Sequence, residues 1–193
     1  MKHTIIDNFL PAQFLYNIQD ILGIVGEQTT DRLPLYYTRN SLSINLATVA
    51  VEAELNAKFN LKGTSGNLGG HFGHVFFDKF DTASPYHEGI VLPILDTLGC
   101  VSLIRAKLNI NIQEGADATH TGWHIDYIDS PKYYTALLYL TTNEGTGTLL
   151  EDGTFIDFVE NRLVYFPGNT YHSGILGERF SGVRVAINLN FTM

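Results

Sequence analysis

The sequence is poor in cysteine, in basic residues and in long apolar runs. Its single cysteine, Cys100, excludes an internal disulfide, and its apolar surroundings favour an inert core thiol in a reducing compartment. The 12 lysines and arginines are outnumbered by 20 aspartates and glutamates, so the formal net charge of -8 argues against a broad phosphate-binding surface. No apolar run approaches the about 18 residues of a membrane-spanning helix, and the N-terminal MKHTIIDNFLP does not have the pattern of a signal peptide. We therefore expect no membrane-spanning segment and no broad nucleic-acid-binding surface, although the charge does not exclude a local basic patch.

Glycine and aromatic residues are abundant, with 18 glycines and 12% aromatic residues. Apolar residues make up 45% of the chain and charged residues 17%, which is typical of a globular protein. Many glycine turns and many aromatic side chains together favour β structure. The length of 193 residues suits one domain over residues 1–193, which we divide into a helical support region, 1–100, and a strand-rich core, 101–193.

The first hundred residues contain two segments with helical signals. LPAQFLYNIQDILGIVG places its apolar residues at helical spacing and ends at a glycine. SPYHEGIVLPILDTLG has a capping serine, Ser84, and a terminal glycine, Gly99, while Pro93 inside it predicts a kink or a break. Between them, SINLATVAVEAEL fits either a helix or a strand, and HVFFDKF fits a strand.

From Val101 onward the apolar residues alternate with a period of two. Turn-rich segments separate the candidate strands, which predicts a mainly β fold with flanking helices, either a sandwich or a jelly roll. The candidate strands are SLIRAKLNINIQ, YYTALLYLTT, GTLLED, GTFIDFVE, NRLVYFPG and GVRVAINLNF.

A candidate metal site lies in the segment GWHIDY. His124 and Asp126 are two residues apart, which on a strand puts both side chains on the same face. His172 follows a later turn, and a jelly roll can return that turn to the same end of the barrel. Two imidazoles and one carboxylate leave three coordination positions open, which is the facial triad of non-haem Fe(II) oxygenases.

Two further polar residues fall in apolar strands. Arg184 has apolar neighbours in GVRVAINLNF, so an inward-facing guanidinium needs an anion. Tyr139, in ALLYLTT, is a candidate core phenol that also needs a polar partner. A dicarboxylate that binds the metal at one end can offer its distal carboxylate to both.

Other candidate residues fit a functional site less well. His71 and His74 would point to opposite faces of a strand, so they form a poor chelate. His120 lies in a loop, where we expect it to line the cleft or face solvent. Arg179, in the turn LGERFSG, competes with Arg184 as the residue that binds an anion, and we expect Arg179 to be exposed.

These motifs together resemble the 2-oxoglutarate/Fe(II)-dependent dioxygenase superfamily. HID at 124–126, YHSG with His172 and RVAINLNF from Arg184 follow its His-x-Asp…His…Arg order. The prolyl 4-hydroxylase-like branch, with its small bacterial and phage members, is the most similar. LLYLTTNEGTGTLLEDG, NRLVYFPG and the opening IIDNFLP are further similarities, so the resemblance covers residues 100–193 in detail and the first hundred in outline.

The resemblance implies a double-stranded β-helix of jelly-roll, cupin-like type that uses Fe(II), 2-oxoglutarate and O2. Such an enzyme hydroxylates a substrate C–H bond and releases succinate and CO2. The implied iron ligands, which are also the catalytic residues, are His124, Asp126 and His172. Because Asp126 is an aspartate and not a glycine or alanine, the halogenase variant of the site is disfavoured.

The resemblance also implies a set of cofactor-binding residues. Arg184 would pair with the distal carboxylate of 2-oxoglutarate, and Tyr139 would form a hydrogen bond to the same group. Gln113 stands where the related branch often has a tyrosine, and it is the third candidate for contact with the cofactor.

The substrate implied by the resemblance is a peptidyl side chain, with proline as the first candidate, or a small molecule. One alternative is nucleic-acid demethylation within the same superfamily, and another is a non-catalytic cupin-like module that binds a metal or a small acid. We expect residues 28–70 and the loop EGADATHTG to border the substrate groove. The expected location is the cytoplasm of a bacterial cell or phage-infected host, and no motif indicates an oligomeric state.

Overall fold

The computed structural model describes residues 3–26, 33–38, 46–61, 71–113, 120–126, 132–176 and 182–193. The helices in these ranges are α1 (Ala12–Ile21), α2 (Leu46–Phe59) and α3 (Leu92–Leu98), and a π-helical turn spans His87–Val91. The strands are β1 (Thr4–Ile6), β2 (Tyr36–Thr38), β3 (His71–Asp78), β4 (Asp81–Thr82), β5 (Ser102–Gln113), β6 (Tyr133–Tyr139), β7 (Gly147–Leu150), β8 (Phe155–Asp157), β9 (Leu163–Pro167), β10 (His172–Ile175) and β11 (Gly182–Thr192). Among the helices described, none has the length and apolar character needed to cross a membrane.

The strands form two antiparallel sheets. The larger sheet has the order β1-β9-β6-β11-β5-β3-β2, with β4 paired to β3, and the smaller sheet has the order β10-β7-β8. Residues 120–126, called the HID segment below, contain the HID motif. Isolated bridges at His120 and His124 attach this segment to the free side of β10. This mainly β architecture with flanking helices confirms the predicted jelly-roll class.

The two faces of the larger sheet have different chemistry because side chains alternate along each strand. On β11, Val185, Ile187 and Leu189 are buried in the main apolar core together with residues of α1 and α3. The intervening side chains, which include Arg184 and Asn188, face the opposite side and line a cavity. One face of the sheet therefore packs on the apolar core, and the other face presents polar groups.

The ambiguous segment before residue 60 is a helix, α2. Leu55 packs in a cluster with Trp123 and Leu149, and Phe59 stacks on Trp123 with ring centroids 5.6 Å apart. Lys58 donates a hydrogen bond of 2.8 Å to the carbonyl of Glu151. These contacts place α2 directly behind the segment that carries the HID motif.

Near Pro93 the helix changes type and does not break, because Val91 and Leu92 at the junction both keep right-handed helical dihedral angles. The π-helical turn ends at Val91, α3 begins at Leu92, and Pro93 occupies the first turn of α3, where its missing N–H removes no intrahelical hydrogen bond. Gly99 ends α3 in the left-handed conformation at φ 72°, as its position in the sequence predicts.

The N-terminal segment is attached to the larger sheet through Asn161. Its side chain accepts a hydrogen bond from the N–H of Leu10 and donates one to the carbonyl of Leu10, each 2.9 Å long. Asn161 is buried and adopts φ 60°, a left-handed conformation that asparagine tolerates better than most residues. The two bonds fix the chain between β1 and α1.

Replacing Asn161 with alanine should therefore destabilise the fold. The loss of two buried hydrogen bonds and the unfavourable φ should lower the free energy of unfolding by about 2–4 kcal/mol. Urea denaturation measures the change. Asn17→Ala is the matched control, because the Asn17 side chain is exposed on α1 and should change stability by less than about 0.5 kcal/mol. Equal stability of the two variants would contradict the role of Asn161.

Candidate metal centre and cofactor cavity

A pair of backbone hydrogen bonds places the predicted metal ligands side by side. The N–H of His124 donates to the carbonyl of His172 at 3.1 Å, and the N–H of His172 donates to the carbonyl of His124 at 3.0 Å. Their ring centroids are 4.3 Å apart. Asp126 joins them through its N–H, which donates to the carbonyl of Gly168. In the part of the chain that the structure describes, these three residues are the one group of three or more His, Cys, Asp or Glu side chains whose ligand atoms all lie within 4.8 Å of one another.

The local structure around these ligands differs from the expectation in two ways. His172 follows a turn, as expected, but it opens a strand, β10, that was not among the candidate strands. Only His124 forms a bridge, and Asp126 lies in a bend, so the two do not share a regular strand face. The three side chains converge because β10 and the HID segment are paired, not because of the spacing between His124 and Asp126.

Both histidines are held in the tautomer that a metal requires. Nδ1 of His124 lies 3.2 Å from the carbonyl oxygen of Gly122, and Nδ1 of His172 lies 3.0 Å from that of Thr170. A carbonyl can only accept, so each Nδ1 carries the proton and each Nε2 has a free lone pair. The two Nε2 atoms lie 3.9 Å and 4.0 Å from the oxygens of Asp126.

The carboxylate of Asp126 is held by three donors on one oxygen. Its Oδ2 accepts hydrogen bonds from the hydroxyl of Thr135 at 2.9 Å and from the amides of Asn188 and Asn190 at 3.2 and 3.1 Å. Its Oδ1 lies on the side of His124 Nε2. Thr135, Asn188 and Asn190 therefore orient the carboxylate, and sequence reasoning did not identify them. The alternation of Asn188 and Asn190 with apolar residues in β11 was the available signal.

Electrostatics keep the carboxylate and the buried imidazole in their ligand forms. Burial acts to raise the pKa of Asp126, but His172, His124 and the hydrogen bonds from Thr135 and Asn188 outweigh it and lower that pKa to about 2. Burial, with a smaller contribution from His124, lowers the pKa of His172 to about 4 against the opposing effect of Asp126. At neutral pH the site thus presents an anionic oxygen and a neutral imidazole, as a divalent metal requires.

A cavity of about 110 Å³ opens beside His124 and His172 and contains Arg184. The guanidinium is buried, with its carbon 4.4 Å from the centroid of the Phe158 ring and Nη2 donating to the carbonyl of Gly147 at 3.1 Å. Its Nε atom is buried without a hydrogen-bond partner among the described residues. Burial lowers the pKa of Arg184 to about 10, so the group stays cationic at neutral pH. None of the ion pairs between described residues includes it.

Tyr139 lies next to this cation. Its hydroxyl donates to the hydroxyl of Thr148 at 2.8 Å, and its ring stacks on Phe158 with centroids 4.1 Å apart. Burial raises the pKa of Tyr139 to about 12, although Thr148 and Arg184 act in the opposite direction. The phenol thus remains a neutral hydrogen-bonding group beside the buried guanidinium, and Thr148 is a further polar residue that sequence reasoning did not identify.

Gly174 leaves room for the guanidinium. A Cβ atom at this position would lie 3.0 Å from Cγ2 of Thr121 and 3.3 Å from Nη1 of Arg184. Contacts this short require the neighbouring atoms to move. The glycine therefore helps to shape the cationic end of the cavity.

The remaining cofactor candidate, Gln113, ends β5 opposite Gly182, and its side chain lies outside the described part of the structure. The β5 residues that line the cavity are Asn109 and Asn111, which face Ala186 and Arg184 across the strand pair. The polar alternation in SLIRAKLNINIQ was the signal for this face. Arg179, the competing cation, also lies outside the described residues.

His74 and His120 have structural environments. His74 is buried, with Nδ1 2.7 Å from the carbonyl of Pro34 and Nε2 2.7 Å from the hydroxyl of Ser84, so both nitrogens are already used. The side chain of His71 is not described. His120 was expected in the cleft or in solvent, and that expectation is wrong: it is buried with 4% exposure beneath α2, because the HID segment pairs with β10 there.

The fold is shared with solved 2-oxoglutarate- and iron-dependent proteins. A 2OG-Fe(II) oxygenase-family oxidoreductase from Burkholderia pseudomallei superimposes with a TM-score of 0.64 at 12% identity, over 98% of this chain and 84% of that one. A prolyl hydroxylase from Trichoplax adhaerens, in complex with a hypoxia inducible factor oxygen degradation domain peptide fragment, gives 0.61 at 16% identity, over 98% and 83%. The non-heme alpha ketoglutarate dependent epimerase SnoN from nogalamycin biosynthesis gives 0.56 at 10% identity, over 98% and 78%.

No protein-family model matches the sequence, and no curated protein is significantly similar to it. At identities of 10 to 16% the structural likeness establishes the fold. The resemblance noted in the sequence is thus supported by the class of fold, which is the jelly roll of the 2OG-Fe(II) oxygenases. The chemistry has to be argued from the side chains of this chain.

The hydrogen bond from Thr135 to Asp126 should matter for metal affinity. Thr135→Val keeps the shape of this fully buried side chain but removes the 2.9 Å donor. Loss of a partner that orients a ligand typically weakens metal binding by about 10-fold or more. Titration with Mn(II), followed by electron paramagnetic resonance, measures the affinity. Thr146→Val is the control, because Thr146 is equally buried but donates to the carbonyl of Asn143. Similar Mn(II) affinity in both variants would refute the role of Thr135.

Proposed function

We propose that this protein is an Fe(II)- and 2-oxoglutarate-dependent dioxygenase that hydroxylates a substrate C–H bond and releases succinate and CO2. The observation that carries the proposal is a single cavity with two complementary ends. At one end, two Nε2 lone pairs and a carboxylate converge. At the other, a buried guanidinium has no carboxylate partner among the described residues. A keto acid with a second carboxylate satisfies both ends at once.

The donor set fits iron. Two neutral imidazoles and one carboxylate form the ligand set of non-haem Fe(II) oxygenases and leave positions for other ligands. His124 and His172 would bind through Nε2, since each Nδ1 is held by a backbone carbonyl. Asp126 would bind through Oδ1, since Oδ2 already accepts three hydrogen bonds. When bound, Fe(II) and 2-oxoglutarate would supply the oxidising chemistry, which no protein side chain can provide.

The cationic end would bind and orient 2-oxoglutarate. Arg184 would pair with its distal carboxylate, and Tyr139 and Thr148 would place hydroxyl groups next to that pair. Phe158 and Leu137 line the same cavity and exclude water, which strengthens the ion pair. Gln113 remains a candidate for a further contact.

For the substrate we favour a peptidyl side chain, with proline as the first candidate. Support comes from the prolyl 4-hydroxylase-like motif order and from the net charge of -8, which does not suit a nucleic acid. The described residues that line the cavity all fall between Asn109 and Asn188. Helix α2 is not among them and packs behind the HID segment. Of residues 28–70, which we expect to border the groove, 28–32, 39–45 and 62–70 lie outside the described residues.

The metal proposal predicts the behaviour of Asp126→Ala. Because this change removes the only anionic ligand of the triad, it should abolish succinate formation from 2-oxoglutarate and strongly weaken Fe(II) and Mn(II) binding. Asp157→Ala is the control, since Asp157 is an exposed residue of β8. Wild-type protein that binds neither metal nor 2-oxoglutarate would refute the proposed function.

The cofactor proposal predicts a graded loss at the other end of the cavity. Arg184→Ala should raise the KM for 2-oxoglutarate by at least about 100-fold, because it deletes one partner of a buried charge pair. Tyr139→Phe should raise it by about 5-fold, the effect of one hydrogen bond. Neither change should greatly alter Mn(II) affinity. Arg162→Ala serves as the control, because Arg162 pairs with the exposed carboxylate of Asp7. An unchanged KM in Arg184→Ala would end the cofactor assignment.

Gly174→Ala tests the shape of the same end. The added methyl group would crowd Thr121 and Arg184, so 2-oxoglutarate binding should weaken while Mn(II) affinity stays within about 2-fold of the wild type. Calorimetric titration with both ligands measures the two effects. Gly89→Ala is the control, because Gly89 has open space around it. Gly145→Ala is not suitable, because the φ of 70° at Gly145 would strain an alanine. A loss of metal affinity equal to the loss of 2-oxoglutarate affinity would contradict this assignment.

The substrate proposal is tested with a turnover panel at several salt concentrations. The panel holds proline-containing peptides, free amino acids and methylated single-stranded oligonucleotides. We expect hydroxylation of a peptide with little salt dependence. Steeply salt-dependent oligonucleotide binding with demethylation would replace the peptide assignment by nucleic-acid repair.

A further inference from the structure

Two buried polar groups lie in the interface between α2 and the HID segment. Glu52 lies on α2, and both it and His120 are 4% exposed. Oε1 of Glu52 and Nε2 of His120 are each buried without a hydrogen-bond partner among the described residues. An unpaired buried polar atom costs about 1–3 kcal/mol, so two such atoms in one interface need an explanation.

The hydrogen bond at Nδ1 of His120 determines which tautomer the ring adopts. The backbone N–H of Gly122 points at Nδ1 from 3.0 Å, and an N–H group can only donate. Nδ1 is therefore an unprotonated acceptor, and the proton of the neutral ring is on Nε2. Nε2–H is thus a buried donor, while Oε1 of Glu52 is a buried acceptor. Both groups belong to the same interface, because Asn56, one helical turn after Glu52, accepts a hydrogen bond from Trp123, three residues after His120. The charge of Glu52 also opposes the lowering of the His120 pKa that burial causes.

Gly122 connects His120 to the metal site. Its N–H is held by His120, and its carbonyl accepts the Nδ1–H of His124 at 3.2 Å. Gly122 adopts φ 80°, so the direction of both groups depends on a turn that few other residues can form. His120 Nδ1 also lies 3.2 Å from the hydroxyl of Ser173, the residue after His172. One imidazole therefore contacts both segments that carry the histidine ligands.

The structure does not form a hydrogen bond between Oε1 of Glu52 and Nε2 of His120, since both atoms lack a partner among the described residues. We infer that in solution the Glu52 side chain rotates to accept the Nε2–H of His120, and that this pair positions His124 from behind, through Gly122. Glu52 and His120 are positioning residues, and neither lines the cavity. The chain of contacts runs from α2 to the imidazole that would bind iron. The inference rests on the proposed function only in taking His124 as a metal ligand.

Neighbouring contacts hold α2 in the position that this pair requires. Nε1 of Trp123 donates to the side-chain oxygen of Asn56 at 3.0 Å, and Phe59 stacks on the same indole. Asn56 is one helical turn after Glu52, so both lie on the side of α2 that faces the HID segment. The helix thus holds the chain on both sides of Gly122, at His120 and at Trp123.

The test uses three variants of α2 in the full-length protein. Glu52→Leu removes the acceptor, Glu52→Gln keeps a side-chain carbonyl that can accept, and Glu54→Leu is the control because Glu54 is exposed on the same helix. Imidazole 15N NMR of the metal-free protein reports the tautomers, and Mn(II) titration reports the affinity.

In the wild type and in Glu54→Leu we expect His120 as the Nε2–H tautomer and His124 as the Nδ1–H tautomer. In Glu52→Leu we expect a mixture of His124 tautomers and an Mn(II) affinity lower by about 10-fold, the usual effect of removing an orienting partner. Glu52→Gln should restore both readouts. A Glu52→Leu protein that is folded and keeps the wild-type His124 signal and Mn(II) affinity would overturn the inference.

A second variant keeps the inference testable if Glu52→Leu does not fold. His120→Asn retains an acceptor for Gly122 but does not reach Glu52, so it should show the same mixture at His124. A wild-type His124 signal in His120→Asn would also overturn the inference. Failure of the wild type to bind Mn(II) would instead refute the proposed function, so the two failures are distinguishable.

Discussion

The reciprocal backbone hydrogen bonds between His124 and His172 are the constraint on which the site depends. They join two segments that are separated along the chain by the strands β6 to β9. They also bring the centroids of the two rings to 4.3 Å from each other. Each ring is then oriented in the same way, by a carbonyl two residues earlier in its own segment. A single pairing between β10 and the HID segment thus determines the position, and two local hydrogen bonds determine the direction of the lone pairs.

The larger sheet contributes to stability and to chemistry through alternate residues of the same strand. Ile187 is fully buried in the main core, and its burial contributes about 1.5–3 kcal/mol. Asn188, the next residue, orients the carboxylate of Asp126, and Arg184 faces the cavity from the same side. A shift of one residue in the pairing register of β11 would place Arg184 in the apolar core, where an unpaired charge is very unfavourable. The register that stabilises the sheet therefore also positions the site.

Two of the buried polar atoms without a partner among the described residues belong to the lining of the cavity. Nε of Arg184 and Oδ1 of Asn188 both belong to residues that line the cavity, and both lack a hydrogen-bond partner among the described residues. Such groups lower the stability of the free protein and are found mostly at functional sites. A ligand that pairs with them would recover part of that free energy, since binding to the folded state alone stabilises it.

Local patterns in the sequence were sufficient for several features. Alternation of apolar residues identified β5 to β9 and β11, and Pro93 and Gly99 marked the limits of α3. These features depend on chain stereochemistry and side-chain type, which are determined by neighbouring residues. The order of His124, Asp126, His172 and Arg184 indicated one site only through the family resemblance, and β10 was not identified. Tertiary structure decided the rest. That His120 and Glu52 are buried, and that Thr135 and Asn190 hold Asp126, are consequences of which segments pack together. A side chain's hydrogen-bond partner across a sheet or a helix interface is set by packing between distant segments, and no spacing within one segment encodes it.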